Sequence, residues 1–304
     1  MTPPVPADHP VRLDRVRLAL DGLSVGDALG SEFFVPANRH RLFADPFDPP
    51  PGPWGYTDDT EMALAVADTL ARNGRVDPDD LINGFARRYD ARPDRGYGPG
   101  MIRLLSGVCR GEDYRRAARS LFSGTGSMGN GSAMRVAPVA GYFADDLDRV
   151  AAEAAGPAEV THAHPDGVAG AVAAAVAGAY AWQSRERAGD PAVRAGLFAA
   201  VLDLTPEGDI RFGVAHASTV DLGLSVQSAA SLLGNGSRVT CRDTVPFCLW
   251  AAARHLDDYP AAIETTIRAG GDIDTNCAIV GGIVGLAADV PGEWLGRREP
   301  LERG

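Results

Sequence analysis

The sequence predicts an all-α fold, and three observations carry that prediction. Apolar residues recur at three- and four-residue spacing along most of the chain, which lines one face of a helix. No stretch alternates apolar and polar residues as a half-buried strand does, and no internal repeat stands out. Apolar side chains make up 45% of the 304 residues, enough to fill a sizeable core.

Taken in order, the first helix runs from Arg12 to Leu29 with Leu13, Val16, Leu20 and Leu23 on one side. The Pro/Phe-rich stretch from Phe33 to Trp54, ending in PFDPPPGPW, is expected to be a loop because proline runs cannot continue a helix. A second helix starts near Asp58 and carries Met62, Ala63, Val66 and Leu70; a third, opened by Asp77 or Asp79, reaches Tyr89. The segment ARPDRGYGPG is a turn-rich loop. After the glycine loop GTGSMGNGS, helices are expected over Ala133 to Tyr142 and Val150 to Glu159. THAHPDG is a loop whose Pro165 is placed to start the next helix, GVAGAVAAAVAGAYAWQS, whose small residues let neighbouring backbones come close. The last third reads as helices over Ser225 to Leu233, Cys241 to His255, Tyr259 to Ala269 and Asn276 to Ala287. No interdomain linker divides these elements, so one compact domain is expected.

Charge narrows the function. With 29 basic and 40 acidic residues the chain carries −11, and no basic run offers a footprint for nucleic-acid phosphates. An acidic chain that binds an anionic nucleotide needs local positive charge, which divalent cations can supply. The four cysteines (Cys109, Cys241, Cys248, Cys277) have no CxxC pair and no zinc-ligand spacing, so reduced thiols are expected. No segment reaches the ~18 apolar residues of a membrane span. The N-terminus lacks the apolar region of a signal peptide, and the expectation is a cytoplasmic protein without a membrane partner.

Two acidic clusters draw attention. Thr57, Asp58 and Asp59 sit where a loop becomes a helix, with Glu61 in the first turn. Capping alone explains such residues, at about 0.3–1 kcal/mol each. Asp272 and Asp274 flank Ile273 after two glycines, and Thr275 precedes an apolar, glycine-rich helix. That helix is too apolar to be exposed, so its start is buried, and unpaired buried carboxylates are costly. A cap explains one aspartate there but not both. Carboxylates two apart on a turn, with a hydroxyl beside them, make an oxygen set suited to Mg²⁺ or Mn²⁺. Whether the two clusters meet is not fixed by spacing.

The chain resembles the ADP-ribosylglycohydrolase family. The matching pieces run in family order: GLSVGDALGSEF (22–33), TDDTEMAL (57–64), GYGPG (96–100), MGNGSAMRVAPVA (128–140), THAHPDGVAGA (161–171) and GGDIDT (270–275). The resemblance covers about Leu18 to Leu286. It implies a single all-α domain of orthogonal helices over 1–304, with a core of about 12–290 and flexible ends. It also implies a pair of Mg²⁺ or Mn²⁺ ions, with Thr57, Asp58 and Asp59 matching one group of ligands and Asp272, Asp274 and Thr275 the other. The family usually has threonine where this chain has Ile273, and many members carry a glutamate where this chain has Phe34. Here the glutamate is Glu32, two residues earlier, the candidate for the same place near the metals.

The glycine loop, Ser127, Met128, Gly129, Asn130, Gly131 and Ser132, is a plain turn or a cradle whose backbone N–H groups approach phosphate oxygens; in the family context it matches part of the ADP-ribose site. His162 matches a family histidine associated with ADP-ribose. Tyr97 is expected either to line the sugar or base or to pack its own loop, and Arg135 to meet phosphate or lie on a helix surface. The implied reaction is hydrolysis of the bond between ADP-ribose and an acceptor, a protein side chain or small molecule. Water activated by the metals attacks the anomeric carbon, with Asp58 or Asp59 as ligand and general base. Two other readings share these residues: a metal-dependent phosphohydrolase of ADP-ribose or nucleotide sugars, and a non-catalytic ADP-ribose binder or structural relative. A monomer is the expected state.

Overall fold

Residues 5–301 are described by the structure, a computed structural model. They form α1 (His9–Ser31), α2 (Asp58–Asn73), α3 (Pro78–Ala91), α4 (Pro99–Cys109), α5 (Tyr114–Gly124), α6 (Ala137–Tyr142), α7 (Leu147–Glu159) and α8 (Pro165–Gln183). They continue with α9 (Pro191–Leu204), α10 (Asp209–Thr219), α11 (Val226–Leu233), α12 (Cys241–Arg254), α13 (Tyr259–Arg268), α14 (Ile273–Val284) and α15 (Gly292–Arg297). The described residues contain no β-strand; extended pairing is limited to isolated bridges of Trp54 with Arg298 and Gly129 with Thr240. The all-α expectation holds.

The helix starts follow local chemistry. Side chains of Asp77, Asp113, Asp146, Asp190 and Asp258 each accept a backbone N–H of the turn they open. Pro78, Pro165 and Pro191 occupy first-turn positions, where the missing N–H costs nothing. The structure differs from the sequence reading in four places. Pro36–Phe43 is a 3-10 helix rather than loop, started by Pro36 and tied back by Asn38, although it buries no residue. The helix expected from Ala133 begins only at Ala137, because Asn130–Ser132 is a 3-10 turn leading into it. Helix α14 starts at Ile273, three residues before Asn276, because the carbonyl of Asp272 accepts the Asn276 N–H at 2.9 Å. Helices α4, α5, α9, α10 and α15 were not anticipated: α4, α5, α10 and α15 are short, with a brief one-sided apolar pattern, whereas α9 carries Val193, Leu197 and Val201 at four-residue spacing and was passed over.

Helix α1 packs antiparallel against α14 at backbone distance. A Cβ added to Gly22 would stand 2.2 Å from the carbonyl oxygen of Gly281, and one on Gly26 would stand 2.1 Å from that of Cys277. One on Gly30 would meet the Asp274 Cα at 2.8 Å. These glycines recur every fourth residue on α1, so one bare stripe fixes both the approach and the register. The hydroxyl of Tyr259, at the start of α13, donates to the Gly22 carbonyl at 2.6 Å and closes the same seam. Helix α8 is buried on nearly every side, as its alanine-rich sequence requires, and packs against α6, α7, α9, α12 and α14. The loop before α2 is held from the other end of the chain: Trp54 N–H donates to Arg297 O at 2.7 Å, and Glu299 N–H to Trp54 O at 2.9 Å.

Candidate metal centre and adjoining pocket

Three helix segments meet at one cluster of oxygens, buried at Asp27 and Asp59 and half-buried at Asp274. Carboxylate oxygens of Asp27 on α1, Asp59 on α2 and Asp274 on α14 all lie within 4.8 Å of one another. The glycine seam brings the first and third together, and the loop pinned by Trp54 and Arg297 delivers the second.

Asp27 is fully buried and surrounded by donors. Its Oδ1 accepts from the Thr57 hydroxyl at 2.7 Å. Its Oδ2 accepts from Thr57 N–H at 2.9 Å, Thr60 N–H at 3.1 Å and the Thr60 hydroxyl at 2.6 Å. Sequence reasoning missed Asp27 as a site residue. The signal was present: it continues the buried stripe of Val16, Leu20 and Leu23, where a carboxylate demands partners.

Asp59 is equally buried but poorly satisfied. Its Oδ2 stands 2.9 Å from the Thr57 hydroxyl, while its Oδ1 has no hydrogen-bond partner among the described residues. Thr57 caps α2, so the cap expected from sequence is real, and it shares its residue with the cluster. Asp58 begins α2 beside the Tyr97 loop: its N–H donates to Arg95 O at 2.7 Å. Asp272 is the N-cap residue of α14 and accepts from the Asn130 side-chain amide at 2.7 Å. Asp274 lies in the first turn, with its Oδ1 accepting the Thr275 N–H at 2.8 Å. Thr275 and Ile273 are both buried there.

The electrostatics describe a crowded anionic site, eased at Asp58 by the charge of Arg135. Among the described residues no arginine or histidine forms an ion pair with any of these five carboxylates. Burial pushes Asp27 up to about 6 against the pull of its four donors. Burial and then the Asp27 charge push Asp58 up to about 7. Asp59 is raised well above its ordinary range by burial and Asp27, and Asp274 by burial and Asp272. A divalent cation fits this set: the donors are hard oxygens, the negative charge is crowded, and Asp59 Oδ1 is a buried acceptor in need of a partner. Glu32 lies just beyond α1, and its carboxylate accepts from the Asn38 amide at 3.2 Å. Phe34 is exposed.

The glycine loop adjoins the cluster through Asn130, whose amide also donates to the Thr244 hydroxyl at 3.1 Å. Several of its polar groups are already engaged. Gly129 N–H donates to Ser127 Oγ at 3.2 Å, Asn130 N–H to Val239 O at 3.3 Å, and the Ser132 hydroxyl to Gly167 O at 2.6 Å. The Met128 carbonyl accepts from Cys241 N–H at 3.0 Å. Non-glycine residues with left-handed backbone stand on both sides of the loop: Phe122 (φ 51°), Ser123 (φ 61°) and Val239 (φ 54°). Strain of this kind concentrates at ligand-binding segments. His162 lies beneath the loop: a Cβ on Gly129 or Gly131 would stand 3.3 or 3.1 Å from its Nε2. Tyr97 is buried edge-on to Tyr89, ring centroids 5.1 Å apart, and its hydroxyl has no partner.

Arg135 corrects one part of the sequence reading: it does not lie on a helix surface. It is fully buried, 4.8 Å over the Phe85 ring, and its Nη1 donates to Gly131 O at 2.6 Å. Helix α6 begins after it, so the residue belongs to the folded loop and not to a helix face.

Residues 8–303 match the ADP-ribosylglycohydrolase family model. The protein ADP-ribosylhydrolase ARH3 of Homo sapiens is 30% identical over 325 residues, spanning 93% of this chain and 88% of its own. ADP-ribosylarginine hydrolase Tri1 of Serratia proteamaculans is 27% identical over 316 residues, spanning 99% and 80%. Among solved structures, an ADP-ribosylglycohydrolase-related protein complex superposes with a TM-score of 0.62 at 25% identity, over 95% of this chain and 93% of that one.

Proposed function

The chain belongs to the ADP-ribosylglycohydrolase family, and on that premise we propose that it hydrolyses the glycosidic bond between ADP-ribose and an acceptor with the help of two divalent cations, Mg²⁺ or Mn²⁺. Thr57, Asp58, Asp59, Asp272, Asp274 and Thr275 are the residues assigned to hold them. The observation that carries this reading is the unpartnered, buried Oδ1 of Asp59 inside a cluster of carboxylates. Bound there, such cations supply Lewis-acid activation of water and of the ribose hydroxyls.

The remaining work falls to the chain's own groups. Water oxygen bonds to the anomeric carbon, the acceptor departs with the bonding electron pair, and the water's proton passes to a carboxylate. Asp58 and Asp59 are assigned that base role in preference to Glu32, whose carboxylate is engaged by Asn38. Asp27 holds Thr57 and Thr60 in place and so orients the hydroxyl that faces Asp59. Tyr97, Ser127, Met128, Gly129, Asn130, Gly131, Ser132 and His162 are the residues assigned to ADP-ribose. The acceptor is a protein side chain or a small molecule. The four cysteines stand as free thiols, which suits a reducing, cytoplasmic setting.

Turnover of ADP-ribosylated arginine and serine peptides in ¹⁸O-water, with Mg²⁺, with Mn²⁺ and with chelator, tests the proposal. Label on the ribose C1 hydroxyl and loss of turnover in chelator are expected. Label on phosphate would instead establish the phosphohydrolase reading.

A further inference from the structure

Beneath the glycine loop a directed chain of hydrogen bonds ends at His162. Arg135 Nη2 donates to Pro157 O at 2.9 Å and to the Thr161 hydroxyl oxygen at 2.6 Å. A guanidinium has donors only, so Thr161 is the acceptor in that bond. The single proton of the Thr161 hydroxyl then has His162 Nδ1 as its partner, 2.7 Å away. Among the described residues that proton has no other acceptor, so Nδ1 accepts the bond and the imidazole proton resides on Nε2, the nitrogen that faces Gly129 and Gly131.

Resting on the proposed function, we infer that Arg135 and Thr161 are positioning residues that fix His162 as its neutral Nε2–H tautomer, a single donor aimed past the two glycines at an oxygen of bound ADP-ribose. The opposite tautomer would present a lone pair to that oxygen and repel it. A second proton on Nδ1 would break the Thr161 bond, and burial together with the nearby Arg135 charge holds the imidazole far below its ordinary pKa. The two glycines gain a reason beyond chain flexibility, because a side chain at either position would crowd Nε2. Arg135 is costly to bury: desolvation pushes it down to about 9, and its Nε finds no partner. A role in orienting His162 accounts for its place in the core.

Nitrogen-15 correlation spectra of the histidine side chains in the full chain test this directly, with His162 assigned by its absence in His162→Gln. The expected spectrum shows a protonated Nε2 and a bare Nδ1, and added ADP-ribose shifts the Nε2 resonance. In Thr161→Val the tautomers mix, and ADP-ribose binds at least fivefold more weakly. A protonated Nδ1 in the parent chain overturns the inference, and so does ADP-ribose binding that leaves Nε2 unmoved. Parent tautomer and parent affinity in Thr161→Val overturn the positioning role. If Thr161→Val does not fold, the parent spectrum decides alone. Failure of ADP-ribose to bind at all sinks the proposed function and with it the ligand-facing half of the inference, while the tautomer is still read from the unliganded spectrum.

Discussion

Asp59 shows how a residue can serve function at the expense of stability. Its carboxylate is buried among Asp27, Asp58, Asp272 and Asp274, with one oxygen lacking any donor. Replacing it with asparagine removes the cost of burying a carboxylate that burial and the Asp27 charge drive toward its protonated form. In chelator, Asp59→Asn should therefore melt several degrees above the parent chain while losing the ability to bind Mn²⁺. Differential scanning calorimetry with and without Mn²⁺ measures both, and a variant that melts lower in chelator would count against the crowded-anion reading. Thr57→Val keeps the volume but removes the hydroxyl shared by Asp27 and Asp59; its metal affinity should fall about 10- to 100-fold, as isothermal titration would record. At this scale the sequence was only partly legible. The Thr57–Asp59 and Asp272–Thr275 sets could be read from helix-start chemistry and the family motifs. At Asp27 the apolar stripe signalled a buried carboxylate in need of partners, but neither there nor at Arg135 did a charged letter reveal the group that fills its bonds.

Among the helices, the pairing of α1 with α14 decides whether a centre exists. Gly22, Gly26 and Gly30 permit backbone contact, and Asp27 rides on the same helix toward Asp274. Alanine is the better helix former by about 1 kcal/mol, so an exposed glycine-to-alanine change would stabilise. At Gly26 the added methyl would meet the Cys277 carbonyl oxygen at 2.1 Å, and backbone cannot step aside as a side chain does. Gly26→Ala should lower stability by about 2 kcal/mol or more in urea unfolding and weaken Mn²⁺ binding together with it. Stability equal to the parent would mean that the seam is looser than described. Periodicity and caps made the long helices legible, and α2 begins where the sequence reading put it. The start of α14 was misplaced because GGDIDT reads as a turn by composition, whereas the Asp272 carbonyl already accepts the first helical bond.

For the molecule as a whole, the cluster ties stability and metal affinity to pH. Asp27 and Asp58 titrate at about 6 and about 7 when folded, against 3.8 as their ordinary value. Between those limits the folded chain holds more protons than the unfolded one, so in chelator stability should fall as pH rises from about 4 to 7. Cation binding displaces the same protons, so Mn²⁺ affinity should rise with pH across that window. Melting curves at fixed salt check the first, and titrations at three pH values check the second. Fold class was legible, because helical spacing recurs along most of the chain. The convergence of three distant segments was not, since spacing carries no information on which helices touch; the family motifs joined the Thr57–Asp59 and Asp272–Thr275 segments, and the one that carries Asp27 was missed. The most direct measurement is equilibrium Mn²⁺ binding by electron paramagnetic resonance, on the parent chain and on Asp274→Ala. Two ions bound per parent chain, with both lost or weakened at least 100-fold in the variant, is the predicted result; a parent chain that binds none, or a variant that binds like the parent, would contradict the metal centre.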